Sequence, residues 1–191
     1  MSGLISVSSF LFSLITSLLI FVLWMRIALR YFHVSTLHPM SQMVIKITAP
    51  LTTPLNTCCA YLHLSLKQYD WSCLVLIIFI EVIKYLVIGL LYLDAMLSWK
   101  LIIALTFADL IIEPCTLLFY AIIIRVIMSW VSPHWQHPIA DLILLVTDPL
   151  LTPLRKRLPV LSGFDFSPLV AIVILKAITL FISASLPLHL I

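Results

Sequence analysis

The amino-acid sequence predicts an all-α membrane protein: four transmembrane helices from two tandem parallel helix–loop–helix repeats, with short amphipathic interfacial helices in the two long loops. Three observations predict it. Only 10% of the 191 residues are charged and 63% are hydrophobic, whereas a soluble domain carries about 25% charged residues. Lipid rather than water must therefore cover most of the surface. Four apolar runs have the length, about 20 residues, that a helix needs to cross a bilayer core of about 30 Å. Finally, the chain matches itself at a fixed offset.

The first span covers about 4–30. Its stretch from Leu4 to Met25 contains no charge, and Arg26 and Arg30 follow, placed to snorkel toward the interface. No Lys or Arg precedes the run and it is too long for a signal peptide. The second span, about 71–93, contains Glu81 and Lys84. The third, about 101–131, contains Asp109, Glu113, Pro114 and Arg125, and Pro114 predicts a kink. The fourth, about 168–188, contains Lys176. Two long loops, about 31–70 and 131–166, hold Lys46, Lys67, Arg155, Lys156 and Arg157, whereas the short loop between the middle spans holds only Lys100. The positive-inside rule then places both long loops in the cytoplasm and both termini in the periplasm of a cell inner membrane.

The internal match is specific. At an offset of 99, Arg26 falls on Arg125, Pro39 on Pro138, Thr48 on Thr147, Pro50 on Pro149 and Pro54 on Pro153. TAPLTTPLN, from Thr48, is thus matched by TDPLLTPLR, from Thr147. At an offset of 95, Asp70-Trp71-Ser72 matches Asp165-Phe166-Ser167. The repeats are therefore 1–95 and 96–191. Two spans per repeat give both copies one orientation, related by an axis along the membrane normal.

Within the loops, Met40, Met43, Val44 and Ile47 have the spacing of one helix face, and Ile139, Leu142, Ile143 and Val146 repeat it. Pro39 and Pro138 suit helix starts. These helices are expected to be short and interfacial, ended by the proline-threonine block. Asp165 and Ser167, like Asp70 and Ser72, suit the capping of a helix start.

At these residues the sequence resembles the YggT family of bacterial membrane proteins, with its relatives in Gram-positive bacteria, cyanobacteria and plastids. The resemblance is carried by RVIMSWVSP from Arg125, including Trp130 and Pro133. It continues through TDPLLTPLRKRLP, with Thr147, Asp148, Pro149, Pro153, Arg155, Lys156, Arg157 and Pro159. The third block is GFDFSP, with Gly163, Asp165, Ser167 and Pro168. The first copy lacks the Arg-Lys-Arg triplet and has Cys73 where the second has Pro168, and Asp148 stands where the family often has glutamate. The resemblance implies a multi-pass membrane protein linked to osmotic tolerance and ion homeostasis, or to assembly and organisation at the membrane. It also implies that the second loop carries the working surface.

The ionisable residues inside the spans are Glu81, Lys84, Asp109, Glu113, Arg125 and Lys176. Each costs several kcal/mol if unpaired. Three acids and three bases balance, which favours internal pairing as polar glue between helices. The sharper alternative is a cation or proton path lined by Asp109, Glu113 and Glu81. Glu81 falls on Lys176 in the repeat, so the two are placed to meet, while Asp109 and Glu113 share one helix face. Arg125, near Trp130, is placed to snorkel. Arg155, Lys156 and Arg157 suit anionic lipid or a docked partner.

No HExxH, GxSxG, P-loop or dinucleotide motif is present, so the chain is expected not to be an enzyme. Cys58, Cys59, Cys73 and Cys115 have no metal or haem spacing and are expected to be structural thiols. His134 and His137 lack a third ligand. No cofactor and no metal are expected. The expected partners are the lipid bilayer and either further copies of the chain or other membrane proteins, with no nucleic acid.

Overall fold

The computed structural model describes residues 2–32, 34, 39–61, 71–92, 97–131, 138–157 and 165–186. Six α-helices make up the described residues: α1 (Ser2–Tyr31), α2 (Pro39–Tyr61), α3 (Trp71–Tyr92), α4 (Trp99–Val131), α5 (Pro138–Arg157) and α6 (Ser167–Ser185). Four of them are long and apolar enough to cross a membrane, over Ser6–Tyr31, Trp71–Leu90, Trp99–Val131 and Ser167–Ser185. The expected count of four long apolar helices and two further helices between them is therefore present among the described residues. Pro133, Pro159, Gly163, His134 and His137 lie outside the described residues.

The loop helices depart from expectation in length. The proline-threonine blocks do not end them: α2 runs for 23 residues with Pro50 and Pro54 inside, and α5 for 20 with Pro149 and Pro153 inside. A proline in a helix removes the donor to the carbonyl four residues back, at a cost of about 3 kcal/mol. Here the two prolines of each block are themselves four apart, so both losses fall along one edge. All four prolines are exposed. The freed carbonyls therefore face outward, and the opposite, packed edge keeps its hydrogen-bond ladder.

Two compact units form. The first comprises Met1–Leu37 with Ser41–Leu110, the second His38–Met40 with Ile111–Ile191. The division falls inside α4, at Leu110, whose carbonyl is the one that loses its helical donor to Pro114. In the first unit, α1 packs on α3. Ile20 and Leu23 meet Cys73, Leu76 and Ile77, flanked by Trp24, Ile27 and Leu110. In the second, α5 packs on α6, and Leu151, Ala171 and Leu175 form the core with Ile122 of α4. Small residues such as Ala171 let backbones approach closely, which matters in a solvent as apolar as the side chains. Large apolar side chains such as Phe10, Phe79, Phe107 and Phe181 face outward.

The two loop helices bury different faces. In α5, Leu142, Ile143 and Val146 are buried as their spacing predicts, although Ile139 is exposed. In α2, Met43 and Ile47 are exposed, and the buried positions are Ser41, Thr48 and Thr52. A polar face on the protein side is the unexpected feature, and its reason lies in Arg26.

Candidate functional site

Arg26 and Arg125 stand at corresponding positions near the C-terminal ends of α1 and α4. Each reaches across to the loop helix of its own unit. Arg26 Nη1 donates to Thr48 Oγ1 at 2.7 Å and Thr52 Oγ1 at 2.9 Å. Arg125 Nη1 donates to Thr147 Oγ1 at 2.6 Å and Asp148 Oδ1 at 2.7 Å. The threonines are suited to this by their helices. Thr48 Oγ1 donates to the Val44 carbonyl and Thr147 Oγ1 to the Ile143 carbonyl, each at 2.7 Å. With its proton committed to the helix, each hydroxyl turns its lone pairs to the guanidinium. Arg125 is thus held by α5 in an ion pair with Asp148, not left to snorkel. In the first copy Ala49 occupies the place of Asp148, and Thr52 that of Leu151, so a second hydroxyl does there what a carboxylate does in the second copy.

The far end of α5 is tied to α6. Arg155 Nε donates to Asp165 Oδ2 at 2.6 Å, while the Ser167 backbone N–H donates to Asp165 Oδ1 at 2.9 Å. Asp165, one residue before the N-cap position Phe166, thus accepts from a free amide at the start of α6, and Pro168 follows in the first turn. Lys156 and Arg157 project from the end of α5 and are exposed, and Trp130, at the end of α4, is 76% exposed. Partial burial pushes the Asp165 carboxyl up, but the hydrogen bonds from Ser167 and from Arg155 outweigh it and hold the group below its usual 3.8. Its folded value lies below the unfolded one, so its contribution is present above the usual carboxylate range and is lost as pH falls through the folded value. Asp165→Asn is expected to cost about 1 kcal/mol, the worth of a hydrogen bond to a charged group at an exposed site. It should also flatten the fall in thermal stability between about pH 5 and about pH 2, measured on detergent-solubilised protein.

The buried charges of the first unit cluster. Lys84 Nζ lies 2.6 Å from Glu81 Oε2 and 2.9 Å from Asp109 Oδ2. Tyr85 Oη donates to the same Asp109 oxygen at 2.5 Å, and the ammonium sits 4.9 Å from the Tyr85 ring centre. The Lys84–Asp109 contact is a formed hydrogen bond. The Lys84–Glu81 contact, although shorter, lacks hydrogen-bond alignment, and both Glu81 oxygens are without a hydrogen-bond partner among the described residues. Lys84 is thus the cation that offsets Asp109. Glu113 lies in the second unit and is half-buried. Lys176, placed by the repeat to meet Glu81, has its ammonium 5.8 Å from the Phe119 ring centre, beside a small cleft lined by Thr116, Tyr120, Leu175 and Thr179. Cys73 and Cys115 are free thiols, the first buried. Among the described residues no three His, Cys, Asp or Glu side chains are grouped to hold a metal.

Sequence reasoning singled out Arg125, Thr147 and Asp148 as motif residues but did not pair them, and it missed Thr52 and Tyr85. The usable signal for the pairing was that the arginine and one threonine persist in both copies at the same separation. Tyr85 had no comparable mark.

Comparison with known proteins decides the family. Residues 5–91 and 101–186 each match the CCB3/YggT family model, one match per repeat. The chain belongs to the CCB3/YggT family. It is 30% identical to the uncharacterised protein YggT of Escherichia coli K12, over 90% of this chain and 87% of the relative. It is 32% identical to an uncharacterised protein of Pseudomonas aeruginosa, over 95% of this chain and 91% of that one, and 31% identical to one from Vibrio alginolyticus, over 85% of each. No solved structure matches. In this CCB3/YggT chain the matched stretches contain both arginine–threonine clamps and the Glu81–Lys84–Asp109 cluster.

Proposed function

We propose that this protein is a non-enzymatic inner-membrane scaffold or assembly factor that supports osmotic-stress tolerance and ion homeostasis through its second long loop. One observation carries the reading: α5 is fixed at its middle by Arg125 and at its C-terminal end by the Arg155–Asp165 pair, and it presents exposed Lys156 and Arg157 beside Arg155 where it stops. A charged tip on an anchored helix suits recognition at a surface. With the long loops in the cytoplasm and the termini in the periplasm, the triplet faces anionic lipid headgroups and cytoplasmic portions of other membrane proteins. Each of its charges adds roughly 1 kcal/mol at such a surface. The intramembrane charges, by contrast, are engaged within their own units, in keeping with glue between helices. A second reading, an ion-conducting or transport-modulating protein that uses its intramembrane acids, draws support from buried Glu81, which shares the Lys84 ammonium with Asp109.

The test is survival and potassium uptake after hyperosmotic shock in a deletion strain. It is complemented with wild type, with Asp109→Asn/Glu113→Gln, or with Arg155, Lys156 and Arg157 all changed to alanine, at matched membrane abundance. The triple loop variant is expected to fail, and the acid variant to rescue. Failure of the acid variant alone would move the function to the ion-linked reading.

A further inference from the structure

The cluster in the first unit has a charge count that does not close. Glu81, Asp109 and Lys84 would together carry one net negative charge if all were ionised, and Glu81 and Lys84 are buried inside a membrane-spanning segment. The two acids are not treated alike. Asp109 Oδ2 receives both the Lys84 ammonium and the Tyr85 hydroxyl. Glu81, 0% exposed, shares the same ammonium at 2.6 Å, and among the described residues no well-aligned donor reaches either of its oxygens. A fully buried carboxylate that must share its one neighbouring cation with a second acid is poorly placed to keep its charge.

A second, separate observation comes from α4. Thr106, 5% exposed and one turn before Asp109 on the same helix, has a buried hydroxyl with no hydrogen-bond partner among the described residues. A hydroxyl can both accept and donate, so α4 carries a second buried polar group without a fixed partner one turn from Asp109. Among the described residues of the first unit, no further charge is in contact with Glu81. On α1 the ionisable groups are Arg26, Arg30 and Tyr31, with none earlier in the helix. The two arginines act on Cys73, eight residues and about 12 Å along the axis from Glu81. Lys46 of α2 is exposed, and α4 contributes Lys100, exposed at its start, and Asp109 itself.

We propose that Glu81 is a proton-binding site: an intramembrane carboxyl that binds one exchangeable proton, with Lys84, Asp109 and Tyr85 as its fixed surroundings. A proton fits where a metal cation does not, because the Lys84 ammonium already sits between the two carboxyl groups. On binding, the proton adds to a Glu81 oxygen and the cluster becomes neutral. On release to water, it leaves one negative charge shared by two acids around one ammonium. The site is independent of the scaffold reading, which rests on α5.

The experiment is infrared difference spectroscopy of the full chain in lipid nanodiscs between about pH 5 and about pH 9. Wild type is expected to show a protonated-carboxyl stretching band that bleaches as pH rises, and Glu81→Gln, a near-isostere of the protonated form, should lack it. Asp109→Asn leaves Lys84 to pair with Glu81 alone, so the midpoint should fall by about one pH unit or more. Helical circular dichroism and a monodisperse elution profile check each variant, and the Asp109→Asn shift stands as a test even if Glu81→Gln does not fold. A band that survives Glu81→Gln, a midpoint that ignores Asp109→Asn, or no titrating band in wild type would overturn the proposal.

Discussion

Changing Lys84 to methionine is expected to be the most damaging single substitution in the first unit, with a loss of about 3 kcal/mol. Methionine matches the lysine stem in volume, so packing against the Tyr85 ring survives and the effect is electrostatic. What is lost is the one cation that touches both Glu81 and Asp109. Breaking a buried pair by removing one partner is costlier than the pair is worth, because an uncompensated charge remains. Three companions separate that penalty from any general need for polarity. Glu81→Gln alone should be close to neutral, because Lys84 keeps Asp109. Asp109→Asn alone should cost about 1 kcal/mol, because Tyr85 then loses a charged acceptor. The triple change Glu81→Gln/Lys84→Met/Asp109→Asn should recover most of the Lys84→Met loss, since no bare charge is left. Unfolding in mixed micelles with increasing denaturing detergent gives all four numbers. If Lys84→Met unfolds like wild type, the cluster is solvated and its burial contributes nothing.

The spans were legible because the bilayer imposes one coarse requirement, about 20 apolar residues with the backbone satisfied internally, and composition meets or misses it over long windows. The repeat was legible because Arg26, Thr48, Pro50 and Pro54 survive at an offset of 99. Where α2 and α5 end was not. A rule for single prolines stops a helix at Pro50, yet Pro50 and Pro54 lie along one exposed edge and the helix runs on to Tyr61. That exemption depends on which face is packed, a tertiary fact. The same holds for α2: Met43, Val44 and Ile47 mark an apolar face by spacing, but Arg26 draws Thr48 and Thr52 inward instead. The sequence offered Lys84, beside Arg125 or a cation, as a charge to compensate Asp109 and Glu113, and its place three residues from Glu81 put that acid within reach as well. Its contact with Asp109 required knowing how α4 meets α3.

The arginine–threonine clamp makes the remaining large prediction, on the second unit. Arg125→Met is expected to cost about 2–3 kcal/mol and to release α5 from α4. It removes two charge-assisted hydrogen bonds at once, at a site where the arginine side chain is only 13% exposed. Arg125→Lys should recover less than half of that, because a single ammonium on a flexible stem does not reproduce two bonds made from a planar guanidinium. Asp148→Ala, which writes in the first copy's residue, should cost no more than about 1 kcal/mol, since the Asp148 side chain is 50% exposed and its ion pair is screened. Thr147→Val should cost more than Asp148→Ala although no charge is removed. The Thr147 hydroxyl is fully buried, and its loss leaves the Arg125 donor to Asp148 alone. This ordering, arginine first, buried threonine second and exposed acid last, distinguishes a helix clamp from an ordinary surface ion pair. Amide hydrogen exchange along α5 in nanodiscs reads it directly: Arg125→Met and Thr147→Val should raise exchange through Ala140–Leu151, and Asp148→Ala should leave it nearly unchanged. If Asp148→Ala proves the most disruptive, the charge pair holds α5 and the threonine is incidental. The first copy, with Ala49 in that place, would then need a different anchor from the one its geometry shows.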